Sequence, residues 1–145
     1  MTTYYRATAP ATTGVFTSLE PETATLDEAE PNWKKSMTDY NVMIVTLARA
    51  AGENANYTPG EDGVNPEQDL NQADPLGLSD TERAIIDEAV NAKKENNGKL
   101  IVMLNNASAM EIEEIKNNTG VDAILEVGLP GGYGFYGVAD VLSGE

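Results

Sequence analysis

Residues 41–53 read Asn41-Val42-Met43-Ile44-Val45-Thr46-Leu47-Ala48-Arg49-Ala50-Ala51-Gly52-Glu53, and this stretch decides the fold. Its first part, residues 42–48, is nearly all apolar and rich in β-branched side chains. A short apolar run of this kind predicts a parallel β-strand that is covered on both faces. Ligands of open α/β sheets bind just beyond the carboxyl ends of such strands, so Glu53 is where chemistry is expected.

Composition limits the classes of function that the chain can serve. The chain has 145 residues, the size of one domain, and 41% of them are hydrophobic, which is enough for a core. The net charge of −15 argues against nucleic acid, which requires clustered Lys and Arg, and equally against anionic membranes. Two interpretations of the charge stay open. It keeps a soluble protein dispersed, or acidic loops line a site for a neutral or cationic ligand.

The chain contains neither cysteine nor histidine. Disulfides, thiolate chemistry, a histidine base and the usual zinc ligands are therefore excluded, and acid/base work falls to Asp, Glu, Tyr or Lys. The acidic residues between 61 and 74 lack the alternate spacing of a calcium loop. No long apolar run or signal-like start is present, so we expect a soluble protein, with a cytoplasmic or a secreted parent equally open.

Strand and helix signals alternate along most of the chain. Residues 1–38 are predicted to be an arm or linker with a short strand at 15–19 and the start of a short helix at 33–40, and residues 39–145 a domain. The predicted elements of that domain are strand 42–48, a helix from the capping box of Ser79 and Glu82 to about residue 95, strand 99–105, a helix opened by a second capping box of Ser108 and Glu111, strand 121–127 and helix 133–142.

This alternation predicts an α/β fold, a three-layer sandwich around a parallel sheet of the flavodoxin-like kind. Three strands make a thin sheet, so the chain is expected to be an incomplete portion of the full domain. An incomplete sheet leaves an edge that can pair with a second copy, and a homo-oligomer is one expectation. The apolar positions expected to face the core of the last two helices are Met110, Ile112, Ile115, Val138, Ala139, Val141 and Leu142.

Two further motifs have competing interpretations. Residues 132–137 match the G-x-G-x-x-G spacing of a dinucleotide fingerprint, but three bulky aromatic residues fill the turn and no acidic strand follows. A glycine-rich strand-to-helix turn that packs against a neighbour is favoured. The amides of Asn105 and Asn106 follow the second strand, where they either bind sugar hydroxyls or, as the favoured alternative, order the turn and cap the next helix.

An ordered set of short motifs resembles the second, α/β-sandwich domain of family 3 glycoside hydrolases, the β-glucosidase type. The resemblance covers roughly residues 40–145. The motifs are Ile44-Val45-Thr46-Leu47-Ala48-Arg49-Ala50-Ala51-Gly52-Glu53, Leu78-Ser79-Asp80-Thr81-Glu82, Ile101-Val102-Met103-Leu104-Asn105, Glu111, Val121-Asp122-Ala123-Ile124-Leu125, Pro130-Gly131 and Gly137-Val138-Ala139-Asp140-Val141-Leu142-Ser143-Gly144.

The resemblance implies a retaining β-glycosidase that needs no cofactor. In that family an N-terminal barrel domain supplies an aspartate nucleophile, and a loop of the sandwich domain carries the glutamate acid/base, which Glu53 matches here. The implied partners are a β-linked glucoside or oligosaccharide and the barrel domain, whose nucleophile motif the chain lacks. Candidate substrate-binding residues flank Glu53, namely Arg49, Asn54 and Asn56.

The chain departs from the family pattern directly after Glu53. The family often shows Gly-Glu-Gly followed closely by Asp, whereas this chain has Gly52-Glu53-Asn54-Ala55-Asn56. Asn54 replaces the expected glycine of the turn, and Asn56 removes a charge. These two residues favour the alternative of a non-catalytic structural or sugar-contacting α/β module. A flavin or nucleotide domain is a third alternative and has only the glycine spacing behind it.

Overall fold

A computed structural model describes residues 33–49, 76–107 and 109–145, with only the backbone described at Trp33, Ser36, Arg49 and Thr81. Seven elements occupy these ranges. They are α1 (Trp33–Met37), β1 (Val42–Arg49), α2 (Asp80–Asn96), β2 (Lys99–Asn106), α3 (Glu113–Asn117), β3 (Ala123–Glu126) and α4 (Gly131–Ser143).

The three described strands form one parallel sheet in the order β1-β2-β3. β1 and β2 pair along their whole length, from Val42 opposite Lys99 to Arg49 opposite Asn106. β3 is shorter than the predicted 121–127 and pairs from Ala123 opposite Ile101 to Glu126 opposite Leu104. The alternation of strands and helices confirms the predicted α/β fold class, with α2 and α3 as the crossovers between parallel strands.

The core lies between one face of the sheet and the helices. Alternate residues of a strand point to the same face, and one such set is buried in β2 and, from Met43 to Leu47, in β1. α2 lays Ile86, Ala89 and Val90 on that face. The other buried members of this core are Met37, Met43, Val45, Leu47, Leu78, Ala92, Leu100, Val102, Leu104 and Ile115. On the opposite face of β1, Thr46 is exposed and Ile44 is half-buried.

The predicted capping box at the start of α2 is present. The Glu82 amide donates to Ser79 Oγ at 3.1 Å, and the Ser79 amide donates to Glu82 Oε2 at 2.9 Å. Both residues are buried, so this reciprocal pair satisfies backbone donors that a helix N-terminus would otherwise leave unpaired. The cap fixes the residue at which α2 begins.

The second predicted capping box is wrong where it can be examined. α3 begins at Glu113, its N-cap is Ile112, and no side chain caps it. The Glu111 amide instead donates to the Leu76 carbonyl at 2.8 Å, a tertiary bond that holds Glu111 outside the helix. Ser108 lies outside the described residues. Ile115 is buried as predicted, but Ile112 is 37% exposed, because the helix starts later than its sequence pattern suggested.

The C-terminal helix α4 is not part of the core, contrary to prediction. None of its residues is buried, and Val141 is 64% exposed. Val138 and Leu142 are half-buried, whereas Ala139 is exposed. The apolar pattern of this segment correctly predicts a helix, but a pattern does not say what covers it. Helices α1, α2 and α3 supply the helical part of the core cluster.

A cluster of charges ties the start of β3 to α2 and β2. Asp122 accepts from Lys93 Nζ at 2.5 Å, from Lys99 Nζ at 3.0 Å and from the Leu100 amide at 2.8 Å. The Asp122 amide in turn donates to the Leu100 carbonyl at 2.9 Å. These contacts, led by the Lys93 ammonium, hold the pKa of the Asp122 carboxyl well below its usual range.

Replacing Asp122 by Asn is expected to give a loss of stability that depends on pH. A carboxyl with a depressed folded pKa stabilises the fold above its unfolded pKa of about 3.9, and this contribution disappears as the pH falls through the folded value. The difference in the free energy of unfolding between wild type and Asp122→Asn should therefore be constant near neutral pH and should shrink towards zero in strong acid. Urea titrations at several pH values measure it.

The control for this experiment is Asp80→Asn, whose carboxylate pairs with Arg83 but is 97% exposed. Exposed ion pairs contribute little to stability, so the control should track wild type. A wild-type advantage over Asp122→Asn that is the same at every pH would contradict the role given to the Asp122 carboxylate.

Candidate functional site

The carboxyl edge of the sheet is where a site is expected, and three described strands end there. β1 ends at Arg49 beside Asn106 of β2, and β3 ends at Glu126 opposite Leu104. Because the strands are parallel, the segments that leave them emerge on the same side of the molecule. The described ends of β1, β2 and β3 therefore share one edge of the sheet.

Asn105 connects the ends of β2 and β3. Its Nδ2 donates to the Gly128 carbonyl at 2.5 Å, and the Val127 amide donates to the Leu104 carbonyl at 2.9 Å. Gly128 has a φ of +55°, a backbone conformation that glycine adopts readily, and its amide donates to Glu126 Oε1 at 2.8 Å. The Asn105 amide thus orders the turn after β3, whereas the favoured prediction that it caps the next helix is wrong, because no side chain caps α3. Binding of sugar hydroxyls here stays a prediction.

The segment that leads into α2 is fixed at this same edge. The Leu76 carbonyl accepts from the Glu111 amide, so the residues before α2 are joined to those before α3. Arg83, in the first turn of α2, adds a two-pronged contact to Glu114 of α3. Its Nε donates to Glu114 Oε2 at 2.7 Å and its Nη2 donates to Glu114 Oε1 at 2.8 Å.

The Arg83–Glu114 pair has the parallel geometry in which guanidinium and carboxylate bind most strongly. Hydrogen bonding to Arg83 lowers the pKa of Glu114 from its usual value, and the pKa of Arg83 is raised by the same contact and by Asp80. Both groups therefore stay charged across the ordinary pH range, which suits a structural bridge better than proton transfer. The sequence does not reveal this pair, because its members are 31 positions apart.

The predicted site residues fall almost entirely outside the described part of the chain. Glu53, Asn54 and Asn56 lie outside it, and Arg49 is described only by its backbone, as the last residue of β1. Their proposed roles in catalysis and substrate binding stay predictions. The structure does place the strand from which they follow, together with the cap at which the chain returns.

The described residues offer no second constellation with clear chemistry. Within ranges 33–49, 76–107 and 109–145, no group of three or more acidic residues is arranged to hold a metal ion. An open groove of about 570 Å³ between α2 and the turn before β3 lies at the opposite, amino edge of the sheet, lined by residues such as Asn91, Lys94 and Thr119. Over the same ranges, no helix combines the length and apolar character needed to span a bilayer.

The glycine motif at residues 132–137 is not a loop. The expected strand-to-helix turn is wrong at this position, because α4 begins at Gly131 and contains all three glycines of the motif. A dinucleotide fingerprint requires a tight turn whose backbone approaches the pyrophosphate ahead of the helix. Pro130 at the N-cap and the positive φ of Gly131 mark the real turn, which lies before the motif.

Replacing Gly137 by Ala is expected to stabilise the chain by up to about 1 kcal/mol, since alanine is the better residue inside a helix. A Cβ at Gly137 has no atom within 4 Å, whereas one at Gly134 would lie 2.7 Å from Pro130 Cβ. Gly134→Ala is therefore the matched control and should gain less or lose stability. Thermal unfolding of both variants measures the difference, and destabilisation by Gly137→Ala alone would contradict the helical assignment.

Comparisons with known proteins agree with this architecture. The model of the family described as Glycosyl hydrolase family 3 C-terminal domain matches residues 3–145. Among solved structures, the chain is similar to β-glucosidase 3B from Thermotoga neapolitana in complex with glucose, with 28% identity and a TM-score of 0.59. The similarity covers 77% of this chain and 14% of that chain. A search of curated protein sequences found no match.

Proposed function

Since the chain belongs to the glycoside hydrolase family 3 C-terminal domain family, we propose that it is the α/β-sandwich domain of a retaining β-glycosidase. The proposed substrate is a β-linked glucoside or oligosaccharide, and the proposed partner is an N-terminal barrel domain that carries the nucleophile. A β-glucosidase with glucose bound is the structural relative that supports this substrate class. The domain boundary at residue 38 also stays a prediction, with the family match extending from residue 3.

The observation that carries the proposal is the position of the end of β1. β1 stops at Arg49, at the carboxyl edge, and α2 starts at the same edge with its buried cap. A chain spans at most about 3.6 Å per residue, so a residue four positions after Arg49 lies within about 14 Å of the strand end. The proposal accordingly assigns Glu53 to the edge at which ligands of α/β sheets bind.

In the proposed reaction Glu53 works with a carboxylate from the barrel domain. The barrel aspartate attacks the anomeric carbon while the Glu53 carboxyl protonates the leaving oxygen, which gives a covalent glycosyl-enzyme. Glu53, now ionised, then takes a proton from the water that releases the sugar. Retaining enzymes hold their two carboxyl groups about 5–5.5 Å apart, so the two domains must meet at the carboxyl edge of this sheet.

General acid action requires Glu53 to be protonated in the resting enzyme. A carboxyl acquires a raised pKa in apolar surroundings or beside a second carboxylate, and the barrel nucleophile would supply the latter. Arg49, four residues earlier, would act in the opposite direction if its guanidinium approached. The nucleophile becomes neutral when it is glycosylated. This change in charge favours ionised Glu53, which can then act as the base in the second step.

A non-catalytic module is the second candidate function. Asn54 and Asn56 support it, because they replace the glycine and the acidic residue that the family often has after its glutamate. Such a domain would still pack against a barrel and contact the sugar. This alternative would be supported if glucose protected the Glu53 segment from proteolysis and the protection were the same in Glu53→Ala.

Hydrolysis of an aryl β-glucoside by the 145-residue chain and by a parent enzyme that contains it tests the proposal. The chain alone should show no turnover, since the nucleophile is proposed to lie in the barrel. The parent should be active and should retain the anomeric configuration. If the chain alone hydrolysed the substrate and Glu53→Ala abolished this turnover, the proposed location of the nucleophile in the barrel would be wrong. The chain would then hold a complete site, with Asp62, Asp69 or Asp74 as nucleophile.

A further inference from the structure

The turn between α2 and β2 contains an Asn-Gly step, Asn97-Gly98, which the functional proposal does not use. In this dipeptide the backbone nitrogen of glycine can attack the preceding side-chain amide, because glycine has no side chain to obstruct the approach. We propose that Asn97 is a deamidation site whose rate is set by opening of the C-terminal cap of α2. Asn97 itself is exposed to solvent, whereas Gly98 is buried.

The closed cap withholds the attacking nitrogen. Asn97 occupies the left-handed region at φ 54°, ψ 36° and forms the C-cap of α2. The Gly98 N–H donates to the Lys93 carbonyl at 3.2 Å and to Asn96 Oδ1 at 2.9 Å. An amide nitrogen must lose its proton to act as a nucleophile, and a buried N–H with two acceptors loses it only when the structure opens locally.

Asn96 connects this cap to the chain ahead of β1. Its Oδ1 accepts from Gly98, while its Nδ2 donates to the Tyr40 carbonyl at 2.6 Å and to the Thr38 carbonyl at 3.2 Å. The Lys99 amide donates to the Asn41 carbonyl at 2.8 Å, next to these bonds. The cap therefore lies directly beside the contacts that begin the pairing of β1 with β2.

The reaction needs only water. The Gly98 nitrogen forms a bond to Asn97 Cγ, the Cγ–Nδ2 bond breaks, and the amide leaves as ammonia while the glycine nitrogen gives up its proton. Water then opens the resulting succinimide at either carbonyl carbon and yields aspartate or isoaspartate. No oxidation state changes, and no further reagent is required.

Either product conflicts with the folded turn. Aspartate places a negative charge at the C-terminus of α2, where the helix dipole is also negative. Isoaspartate lengthens the backbone next to Gly98, where an added Cβ would already lie 2.7 Å from Asn96 Oδ1 and 3.0 Å from the Asn41 carbonyl oxygen. The modified chain should therefore be less stable than the unmodified chain.

The primary test compares deamidation of the folded chain with that of the chain denatured in urea, in the same mildly alkaline buffer, by peptide mass mapping. The folded chain should deamidate at Asn97 at least about tenfold more slowly, the ratio that a modest local opening free energy produces. Equal rates at Asn97 in both states would overturn the proposal. Slow deamidation of Asn97 in the denatured chain would also overturn it, because the cap is open there.

A pair of variants distinguishes the effect of opening the α2 cap from that of a general loss of stability. Asn96→Ala removes one of the two acceptors of the Gly98 N–H, and Asn118→Ala removes a similar side-chain bond elsewhere, in which Asn118 Oδ1 accepts from the Gly120 amide at 2.9 Å. Asn96→Ala should raise the folded-state rate at Asn97 about threefold or more, because it removes the bond to the Gly98 N–H together with the bonds to the Thr38 and Tyr40 carbonyls. Asn118→Ala should leave it unchanged. If Asn96→Ala does not fold, exchange of the Gly98 amide proton in wild type decides, since rapid exchange would contradict a closed cap.

Discussion

A Glu53→Gln variant of the parent enzyme is expected to hydrolyse β-glucosides with poor leaving groups about 100-fold more slowly than wild type, or slower still. Glutamine keeps the size of the side chain but cannot donate the proton that an alkoxide leaving group needs. The effect on kcat/KM, which reports the glycosylation step, should be much smaller for aryl glucosides whose phenol is strongly acidic, because such a group departs without protonation. Measuring kcat/KM over a series of leaving groups of increasing pKa reports this dependence directly.

The control for Glu53→Gln is Glu61→Gln, which neutralises another carboxylate of the same segment. If a general loss of charge near the site were responsible, both variants would be impaired alike and without regard to the leaving group. A pH profile adds a second criterion, because the limb of activity that reports ionisation of the general acid should disappear only in Glu53→Gln. A parent enzyme that is unaffected by Glu53→Gln would eliminate the acid/base assignment and leave the non-catalytic module.

The parts of the fold that could be predicted are those whose signals are local. β1 and β2 were predicted within one residue of their observed ends, since an unbroken apolar run bounded by polar residues has few alternative structures. The capping box of Ser79 and Glu82 is likewise a short-range motif, and α2 starts where it requires. In each case the residues that determine the element belong to that element.

The parts that could not be predicted depend on contacts between distant residues. Ser108 and Glu111 have the spacing of a capping box, but the Glu111 amide is bonded to Leu76, 35 positions earlier, and the helix begins after it. The residues of α4 form a helix of apolar character, yet none is buried. A sequence pattern identifies a face that can be buried, and only the packing of the whole molecule determines whether anything covers it.

The site, like the fold, could be predicted only in part. That chemistry belongs at the carboxyl edge follows from parallel topology, and the observed sheet has that topology. The assignment of a role to Glu53, in contrast, comes from family resemblance, because a lone glutamate after a strand is ordinarily a solvated residue. The bridge between Arg83 and Glu114 had no signal beyond its place in the first turns of two successive helices.

Replacing Leu100 by Ala is expected to destabilise the chain by about 2–5 kcal/mol, the range for large-to-small changes in a packed core. Leu100 is completely buried and lies in the central strand, opposite Met43 in β1. Its backbone also exchanges hydrogen bonds with Asp122, so the strand has little freedom to collapse into the vacated space. Because domains have only about 5–15 kcal/mol of stability, a loss of this size should shift the urea midpoint strongly.

The matched control is Val141→Ala in α4, which removes two methyl groups from a side chain that is 64% exposed. Surface substitutions usually change the free energy of unfolding by no more than about 0.5 kcal/mol, so this variant of the isolated chain should unfold with wild type. A large loss of stability in Val141→Ala would show that α4 is buried in solution. It would contradict a core to which only α1, α2 and α3 of the described helices contribute. Equal effects of the two substitutions would have the same meaning, because Leu100 and Val141 differ above all in whether helices cover them.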